Sequence, residues 1–426
     1  EQNKEKDNIF VFYHIPMYLY ALETDTIDIL AELFEEYGVT TVFTGHHHTY
    51  AHTTYNDVEY INVGSSGGSI GTAEFVRGHF YHFLFVTVQE GTHEIAVVEH
   101  GNVHARDVVT VDDLRLIARA DEDAVIMEPI ITREGSVSQK LVHEMVIENF
   151  GPDSLIDTLI WDFDTTRYLI DPASLPIMIA PDQKKSYPVQ VTVNNGSEIF
   201  PVPRSILVFP FAHGKVCSVR NFLPVKRSVG VKKILEPPVL NGRLDEEIWK
   251  RVSPIQTLGT YDGRPDPPVE KTEIFFIHDD ENVYIGARCH DSDPSRIKTD
   301  ATQPDAGSPY DDNLWMFFDT NYDQETYYQA IINSNGVVFD RRCQYKDGQS
   351  EKDLAWNGSW EIVPGREEYA WVLEIKIPKS ALAPYDDSRW GFNLRRLQPR
   401  TGMGDAGYWA IPFGHLPEYF GILEFE

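Results

Sequence analysis

Cysteines, long apolar runs and positive charges are all scarce in this sequence. Its three cysteines are too few and too widely spaced for a disulfide framework or a cysteine-ligated zinc site, although Cys289 and Cys343 could pair if strands bring them together. No stretch reaches the ~18 consecutive apolar residues of a membrane-spanning helix. The 37 Lys and Arg residues face 66 Asp and Glu residues, a net charge of −29, which argues against a nucleic acid or an anionic membrane as a partner.

The length and the apolar content indicate a folded protein of several domains. At roughly 150 residues per domain, 426 residues correspond to two or three domains. Hydrophobic residues make up 42% and aromatic residues 12% of the chain, which is typical of globular proteins. The chain starts at Glu1, and the pattern of a secretory signal does not follow. We therefore expect that the start of the gene product is missing here or has been processed away.

The first part of the chain, residues 1–102, has the pattern of an α/β fold. A short apolar run at 9–13, apolar residues at helical spacing over 27–34 and a second apolar run at 39–43 predict a strand, a helix and a strand. A crossover of this kind makes the two strands parallel. Two further apolar segments before Gly101 predict a hairpin.

The rest of the chain is predicted to be almost entirely β. Residues 103–125 form an acidic linker with a short helix, expected over 111–120. Residues 126–228 have the strand and turn spacing of an antiparallel sandwich and resemble an immunoglobulin-like domain, which we interpret as a spacer. Residues 229–232 have the composition of a link, and the strands that follow, within residues 229–426, predict a second sandwich. The predicted fold class is therefore multidomain: a partial α/β layer plus two all-β sandwiches.

Three histidines stand at the ends of the two parallel strands. His14 follows the first strand directly, and Gly45 leads into His46, His47 and His48 after the second. Open α/β sheets place ligands at this edge, and alternation in an extended tip puts His46 and His48 on the same side, with His47 pointing away. Together with His14 they form the nitrogen half of a plausible transition-metal site. The alternative is a solvated loop, which is how we interpret six other histidines of this region: His52, His79, His82, His93, His100 and His104.

This part of the chain resembles the last motifs of the calcineurin-like metallophosphoesterases, and purple acid phosphatases in particular. The resemblance is carried by residues 10–18, 42–50 and 63–68. It implies that His14 and His46 bind one metal of a dinuclear Fe, Mn or Zn centre, that His48 binds the other, and that the substrate is a phosphate ester. The family's Asp-x-His, Gly-Asp and Gly-Asn-His motifs lie before these histidines, but only thirteen residues precede His14. We therefore expect no complete catalytic site in this chain, and no activity from it alone.

The last part of the chain, residues 229–426, resembles a family-nine-like carbohydrate-binding module. Five segments carry the resemblance in order, at residues 241–249, 279–285, 311–319, 371–378 and 420–423. The resemblance implies a β-sandwich that binds sugar, with no catalytic signature.

Tryptophans are the natural candidates for sugar contacts, because flat aromatic rings stack on the C–H faces of sugars. Trp371 alternates in phase with apolar neighbours and is predicted to be in the core, as are Trp249 and Trp390. The candidates for stacking, which could equally be half-buried rim residues, are Trp356, Trp360, Trp315 and Trp409.

Acidic residues cluster in several turns of the same domain. The clusters are Asp279 to Glu281, Asp291 with Asp293, and Asp311 with Asp312. They are solvated acidic turns or ligands of a structural calcium ion, although no loop has EF-hand spacing.

The sequence thus predicts the C-terminal portion of an extracytoplasmic metal-dependent phosphoesterase with an appended carbohydrate-binding module. The location would be secreted, periplasmic or cell-surface. The alternative is a non-catalytic carbohydrate-binding protein, or the sugar-binding accessory part of a glycoside-active enzyme. The residue pattern names neither the phosphate ester nor the sugar.

Overall fold

A computed structural model describes residues 6–24, 29–71, 73–196, 198–211, 214–306, 310–346, 348–400 and 404–426. Within this part of the chain, no helix is long and apolar enough to cross a membrane. Strands dominate throughout, as the sequence predicts.

The N-terminal region is a small α/β layer. Its elements are β1 (Phe10–Phe12), α1 (Met17–Thr24), α2 (Ile29–Glu36), β2 (Thr41–Thr44), β3 (Ala51–Tyr55) and β4 (Val58–Asn62). The strand order is β1-β2-β4-β3, with β1 and β4 both parallel to β2. Helix α2 packs on the sheet through Ala31, which is buried in one cluster with Val42 and Tyr60. The predicted strand–helix–strand unit is therefore present.

An antiparallel sheet and a capped helix follow. The sheet comprises β5 (His82–Gln89), β6 (Thr92–Glu99) and β7 (Asn102–Ala105), and the helix is α3 (Val111–Asp123). Thr110 and Asp113 form a capping box at the start of α3, which satisfies backbone N–H groups that the first turn leaves open. The segment predicted as a linker is thus ordered structure, and Ile117 and Ala120 of α3 belong to the core of the next domain.

The middle domain is a sandwich of two four-stranded antiparallel sheets. Their strands are β8 (Val125–Met127), β10 (Val137–Asn149), β12 (Tyr168–Asp171) and β14 (Gln183–Asn195) in one sheet, and β11 (Leu155–Asp162), β13 (Ser174–Ile179), β15 (Arg204–Phe211) and β16 (Lys215–Phe222) in the other. Alternating residues of both sheets, such as Met145, Val191, Leu159 and Phe209, form one buried core. The predicted sandwich is confirmed, and its immunoglobulin-like character stays a prediction.

In the described part of the chain, the C-terminal domain is built on one thirteen-stranded sheet. Its strands are β9 (Ile130–Arg133), β17 (Val225–Lys233), β18 (Thr272–His278), β19 (Asn282–His290), β20 (Asn313–Asp319), β21 (Thr326–Asn333), β22 (Val338–Lys346), β23 (Gln349–Asp353), β24 (Glu361–Glu367), β25 (Ala370–Pro378), β26 (Arg389–Leu397), β27 (Ala406–Tyr408) and β28 (Gly421–Phe425). The order is β23-β22-β21-β20-β26-β28-β17-β18-β19-β25-β24, with β27 on β26 and β9 on β17. Leu314 of β20 and Ile285 of β19 share one buried core, so the two halves of the sheet pack on each other as a sandwich.

The prediction of a link at residues 229–232 is wrong. These residues lie inside β17, in the middle of the sheet, because Val229 and Val231 alternate into the core. A buried ion pair also joins the middle and C-terminal domains. Arg227 of β17 forms an ion pair with Glu134, and Glu134 accepts a hydrogen bond from Trp409 Nε1 at 3.0 Å. Strand β9 lies in the chain between β8 and β10, which belong to the middle sandwich, but it pairs with β17, so the two domains share a sheet.

The cysteines do not form the suggested disulfide. Cys289 in β19 and Cys343 in β22 are both free thiols and buried. Burial raises the pKa of Cys343 to about 11, which keeps the thiol protonated and unreactive.

Candidate functional site

The histidine cluster at the N-terminal sheet edge forms only in part. His14 Nε2 and His46 Nδ1 are 3.1 Å apart, and their rings meet edge to face. His48 turns elsewhere and donates from Nδ1 to the carbonyl oxygen of Ser69 at 2.5 Å. Among the described residues, His48 makes no hydrogen bond or ring contact with His14 or His46.

Backbone conformation explains why simple alternation fails in this loop. His46 and His48 have φ values of 74° and 55°, in the left-handed region, so the segment is not an extended tip. The expectation that His47 points away is therefore wrong, since its ring lies 5.4 Å from the ring of His46 and 5.5 Å from that of Tyr20.

The donor set does not fit a dinuclear metal centre by itself. Nowhere in the described ranges do three or more His, Cys, Asp or Glu side chains gather in a group that could hold a metal ion. Two neutral imidazoles without a carboxylate do not offset the charge of two metal ions. We therefore derive no hydrolytic step from these residues.

The tryptophans predicted to be structural are in the core, and one predicted sugar contact joins them. Trp249, Trp371 and Trp390 are buried, as predicted. Trp409, which directly follows β27, is also buried and has no exposed surface. Its Nε1 donates a hydrogen bond to the buried Glu134. Trp409 has no free face for a sugar, so its assignment as a sugar contact is corrected.

Trp356 and Trp360 form a half-buried pair that closes one end of the C-terminal core. Trp356 packs on Tyr328 with ring centroids 4.7 Å apart, and Trp360 Nε1 donates to Asp340 at 2.5 Å. Gly358 lies between the two indoles, where a Cβ atom would come within 2.3 Å of Trp360 and 2.9 Å of Trp356. Both indoles pack against core residues, so their place fits the rim interpretation.

Trp315 lies on the side of the sheet that faces away from the core of the sandwich, half-buried beside Phe413, in a group of side chains that we call the Trp315 face. It comprises Trp315, Gln329, Arg341, Arg395 and Tyr408. Cross-strand pairing puts these side chains on one side: Trp315 pairs with Arg395, Arg395 pairs with Tyr408, and Gln329 pairs with Arg341.

Arginines and aromatic rings stack on each other across this face. The Arg395 guanidinium lies 4.7 Å from the centre of the Trp315 ring and 5.9 Å from that of Tyr408. Arg341 donates from Nε to Gln329 Oε1 at 2.5 Å. Burial lowers the pKa of both arginines, and Arg341 has no carboxylate partner within the described residues.

His415 borders the face and is held neutral. Burial lowers its pKa to about 3, and the charges of Arg341 and Lys352 act in the same direction. Its Nε2 accepts from Arg341 at 3.1 Å, so the ring proton resides on Nδ1, which donates to the Tyr327 hydroxyl at 2.7 Å. The hydroxyls of Tyr327 and Ser350 share a further hydrogen bond at 2.7 Å.

Two buried donors of the Trp315 face have no acceptor in the described part of the protein. They are Trp315 Nε1 and Gln329 Nε2. An unsatisfied buried donor costs about 1–3 kcal/mol, and neither of these two atoms has accessible surface of its own. Sequence reasoning found Trp315 but missed Gln329, Arg341 and Arg395. The available signal was a polar residue on the outward phase of an otherwise apolar strand.

The acidic clusters are engaged by donors of the chain itself. Arg400 contacts both Asp291 and Asp312, and burial raises the pKa of Asp312. Asp311 accepts from the backbone of Ala301 at 3.0 Å, and Asp279 accepts from the Tyr284 hydroxyl at 2.7 Å. Calcium binding at these carboxylates stays a prediction.

Comparison with known proteins bears on the C-terminal domain. Residues 240–410 match the family described as carbohydrate family 9 binding domain-like. No curated protein matches the chain. This part of the chain is therefore similar to that family, and the match lies entirely outside residues 1–102.

Three solved structures are similar over part of the chain. One is a family 9 carbohydrate-binding module from Caldicellulosiruptor kristjanssonii in complex with glucose (15% identity, 47% of this chain, 95% of that chain, TM-score 0.34). A second is a family 9 module from the same organism in complex with cellotriose (14% identity, 47% of this chain, 93% of that chain, TM-score 0.34). The third is a protein from Bacteroides uniformis described as carbohydrate-binding (15% identity, 47% of this chain, 100% of that chain, TM-score 0.38). At these identities and TM-scores the three structures carry no argument, so the functional evidence is the family match.

Proposed function

We propose that this chain binds carbohydrate through its C-terminal domain and that the Trp315 face is the binding surface. The observation that carries the proposal is the match of residues 240–410 to the carbohydrate family 9 binding domain-like family. It supports the alternative interpretation of the sequence, a carbohydrate-binding protein or the sugar-binding part of a glycoside-active enzyme.

The chemistry of the Trp315 face supports this assignment. Sugars present apolar C–H faces, which pack on aromatic rings such as Trp315 and Tyr408, and oxygen atoms, which accept hydrogen bonds. The donors Trp315 Nε1 and Gln329 Nε2 lack an acceptor within the described ranges. The guanidiniums of Arg341 and Arg395 add two charged donors beside them. Trp356 and Trp360 are less suitable for contacting a sugar, since both indoles pack on the core. The Trp360 Nε1 donor is also already bonded to Asp340.

Calorimetric titration with a panel of neutral and uronic-acid-bearing oligosaccharides tests the proposal. Trp315→Ala should weaken binding by more than about tenfold, and Trp315→Phe, which keeps a ring and removes the N–H, by about threefold to tenfold. Trp356→Ala is the matched control and should bind as the parent does. Binding lost in Trp356→Ala but kept in both Trp315 variants would move the site to the Trp356 and Trp360 pair. No binding of any sugar by the parent would refute the function.

The location of such a protein follows from its ligand. Because structural polysaccharides lie outside the cytoplasm, we propose a secreted, periplasmic or cell-surface protein. Fractionation of the native source with an antibody to the C-terminal domain tests this, and a purely cytoplasmic signal would contradict it.

A second candidate function is metal-dependent phosphoesterase activity, and the observation that favours it is the contact between His14 and His46. The remaining ligands would have to come from polypeptide outside the printed sequence, so we expect the printed chain to release no phosphate from p-nitrophenyl phosphate with Zn²⁺, Mn²⁺ or Fe. A preparation with upstream sequence should be active, and His46→Ala should abolish that activity. Phosphate release that is unchanged in His46→Ala would end this proposal.

A further inference from the structure

A cavity of about 560 Å³ lies between the middle sandwich and the C-terminal domain. Its walls include Met127 of β8, Asn221 and Phe222 of β16, Lys226 of β17, and Tyr419 from the segment before β28. Small-molecule sites typically have volumes of about 300–1,000 Å³, so the space suits a ligand. It is separate from the Trp315 face, none of whose residues lines it.

Lys226 is the most unusual residue of this cavity. It is 8% exposed, and within the described residues its ammonium has no hydrogen-bond or ion-pair partner. Burial lowers its pKa, and the charges of Asp319, Glu418 and Glu128 act in the opposite direction. The ammonium lies 5.8 Å from the centre of the Tyr322 ring, and most lysines buried to this degree have a closer polar partner.

Two other buried polar atoms of the lining are also unsatisfied. Trp161 Nε1 is a donor without an acceptor, and Asn221 Oδ1 is an acceptor without a donor, among the described residues. The Asn221 amide nitrogen is already used, since it donates to the backbone of Asp121 at 2.5 Å. Neither of these two atoms has accessible surface of its own, so Lys226 is the polar group on which binding in the cavity depends.

The charges of the lining exclude a strongly charged ligand. Both signs are present, and the charged lining residues are Glu122, Glu128, Glu418, Arg220 and Lys226. An anion would meet three carboxylates and a cation would meet two basic groups. A neutral hydroxyl avoids both problems, because it accepts from an ammonium or an indole N–H and donates to a carboxylate or an amide oxygen.

From these observations we propose that this cavity binds a neutral sugar, one or two residues in length, in a second carbohydrate site between the domains. Lys226 donates to a hydroxyl oxygen of the sugar, and Met127 and Ile411 contact its apolar face. Tyr419, 38% exposed at the rim, covers it from the solvent side. A glycan could then contact the protein at two places, and failure of this site would leave the Trp315 face unaffected.

The test is ligand-observed NMR and calorimetry on the full chain. The panel consists of glucose, galactose, mannose, xylose, cellobiose and lactose, each at up to about 10 mM, with glucuronate and glucosamine as charged comparisons. Lys226→Met keeps the length of the side chain and removes the ammonium. It should weaken binding of at least one neutral sugar by about tenfold or more, because a hydrogen bond to a charged group is lost.

Matched variants separate loss of the site from loss of the fold. Lys233→Met changes a lysine of the same strand that does not line the cavity, and it should bind as the parent does. Tyr419→Ala removes only a rim side chain and should also weaken binding, which keeps the test valid if Lys226→Met does not fold. Trp315→Ala should leave this site intact. The proposal is overturned if no neutral sugar binds in a manner sensitive to Lys226 or Tyr419, or if glucuronate or glucosamine binds there more tightly.

Discussion

The N-terminal region and the C-terminal domain are both built around sheets, but they differ in how the sheets are completed. In the described part of the chain, β1 and β5 pair on one side only, and aromatic side chains near them are exposed, with Phe12 at 73% and Phe83 at 55%. In the C-terminal domain the sheet folds onto itself, and its large aromatic residues, such as Trp371 and Phe392, are inside.

This difference determines how reliably a sequence motif predicts a functional site in each region. The sequence pattern of the N-terminal histidines predicted a metal site, yet the described residues supply only the contact between His14 and His46. The resemblance of the C-terminal domain is spread over many strands, and there the complete sandwich is present. A site motif is therefore informative only when the surrounding fold supplies the remaining ligands.

The largest effect that would sharpen the comparison is expected at the domain junction. In Glu134→Ala the fully buried guanidinium of Arg227 loses its carboxylate, and removing one partner of a buried ion pair costs about 3–5 kcal/mol of unfolding free energy. Urea unfolding followed by tryptophan fluorescence measures this. Glu247→Ala, which removes the exposed partner of Lys250, is the control and should leave the midpoint unchanged. Equal midpoints for both variants would show that the junction does not stabilise the domains.

The next effect concerns the core of the C-terminal domain. Ile285 is fully buried between the two halves of the sheet, so Ile285→Ala should reduce the free energy of unfolding by about 2–5 kcal/mol. The smaller change Ile285→Val should cost about 0.5–1.5 kcal/mol. Thermal unfolding followed by circular dichroism provides the measurement. Similar losses for the two variants would argue against a tightly packed core.

A smaller, pH-dependent effect is expected at His415. Its folded-state pKa of about 3 lies below its ordinary value of 6.5, so between these values the folded protein binds fewer protons than the unfolded chain. Stability should therefore fall as the pH is lowered from 6.5, by at most about 1.4 kcal/mol per pH unit from this group.

His415→Gln isolates this contribution. The variant keeps a polar side chain beside Tyr327 and Arg341 but cannot be protonated, so the difference in stability between parent and variant should change with pH below 6.5. Urea midpoints measured from pH 4 to pH 8 test this. A difference that is constant over that range would contradict a buried, neutral His415.

Sequence patterns predicted the elements that depend on local periodicity. The parallel strands, α3 and the burial of Trp371 all follow from apolar residues that recur at the period of a strand or a helix. The helix α3 begins at Val111, where the sequence predicts it, and the capping box of Thr110 and Asp113 fixes that start.

Features that depend on distant contacts or on unusual backbone angles were not predictable in this way. Trp409 is buried because Glu134, 275 positions earlier in the chain, accepts its hydrogen bond. His48 is turned aside by a left-handed backbone angle, a conformation that few residues other than glycine adopt. The Trp315 face depends on the pairing of β20 with β26 and of β21 with β22. The register between two strands cannot be predicted from the sequence of either strand alone.

The smallest effect, and the one that could break the comparison, is expected at Phe12. Its ring is mostly exposed and stacks on Phe43 at 4.9 Å, so Phe12→Ala removes little buried area and should change the free energy of unfolding by less than about 1 kcal/mol. The matched variant Phe43→Ala truncates a side chain that is 6% exposed and should cost about 3–5 kcal/mol. Phe12→Ala should also reduce any self-association measured by sedimentation velocity, because it removes apolar surface at the unpaired edge of β1. If it cost as much stability as Phe43→Ala, the N-terminal face would be as well packed as the C-terminal core, and the contrast between the two regions would disappear.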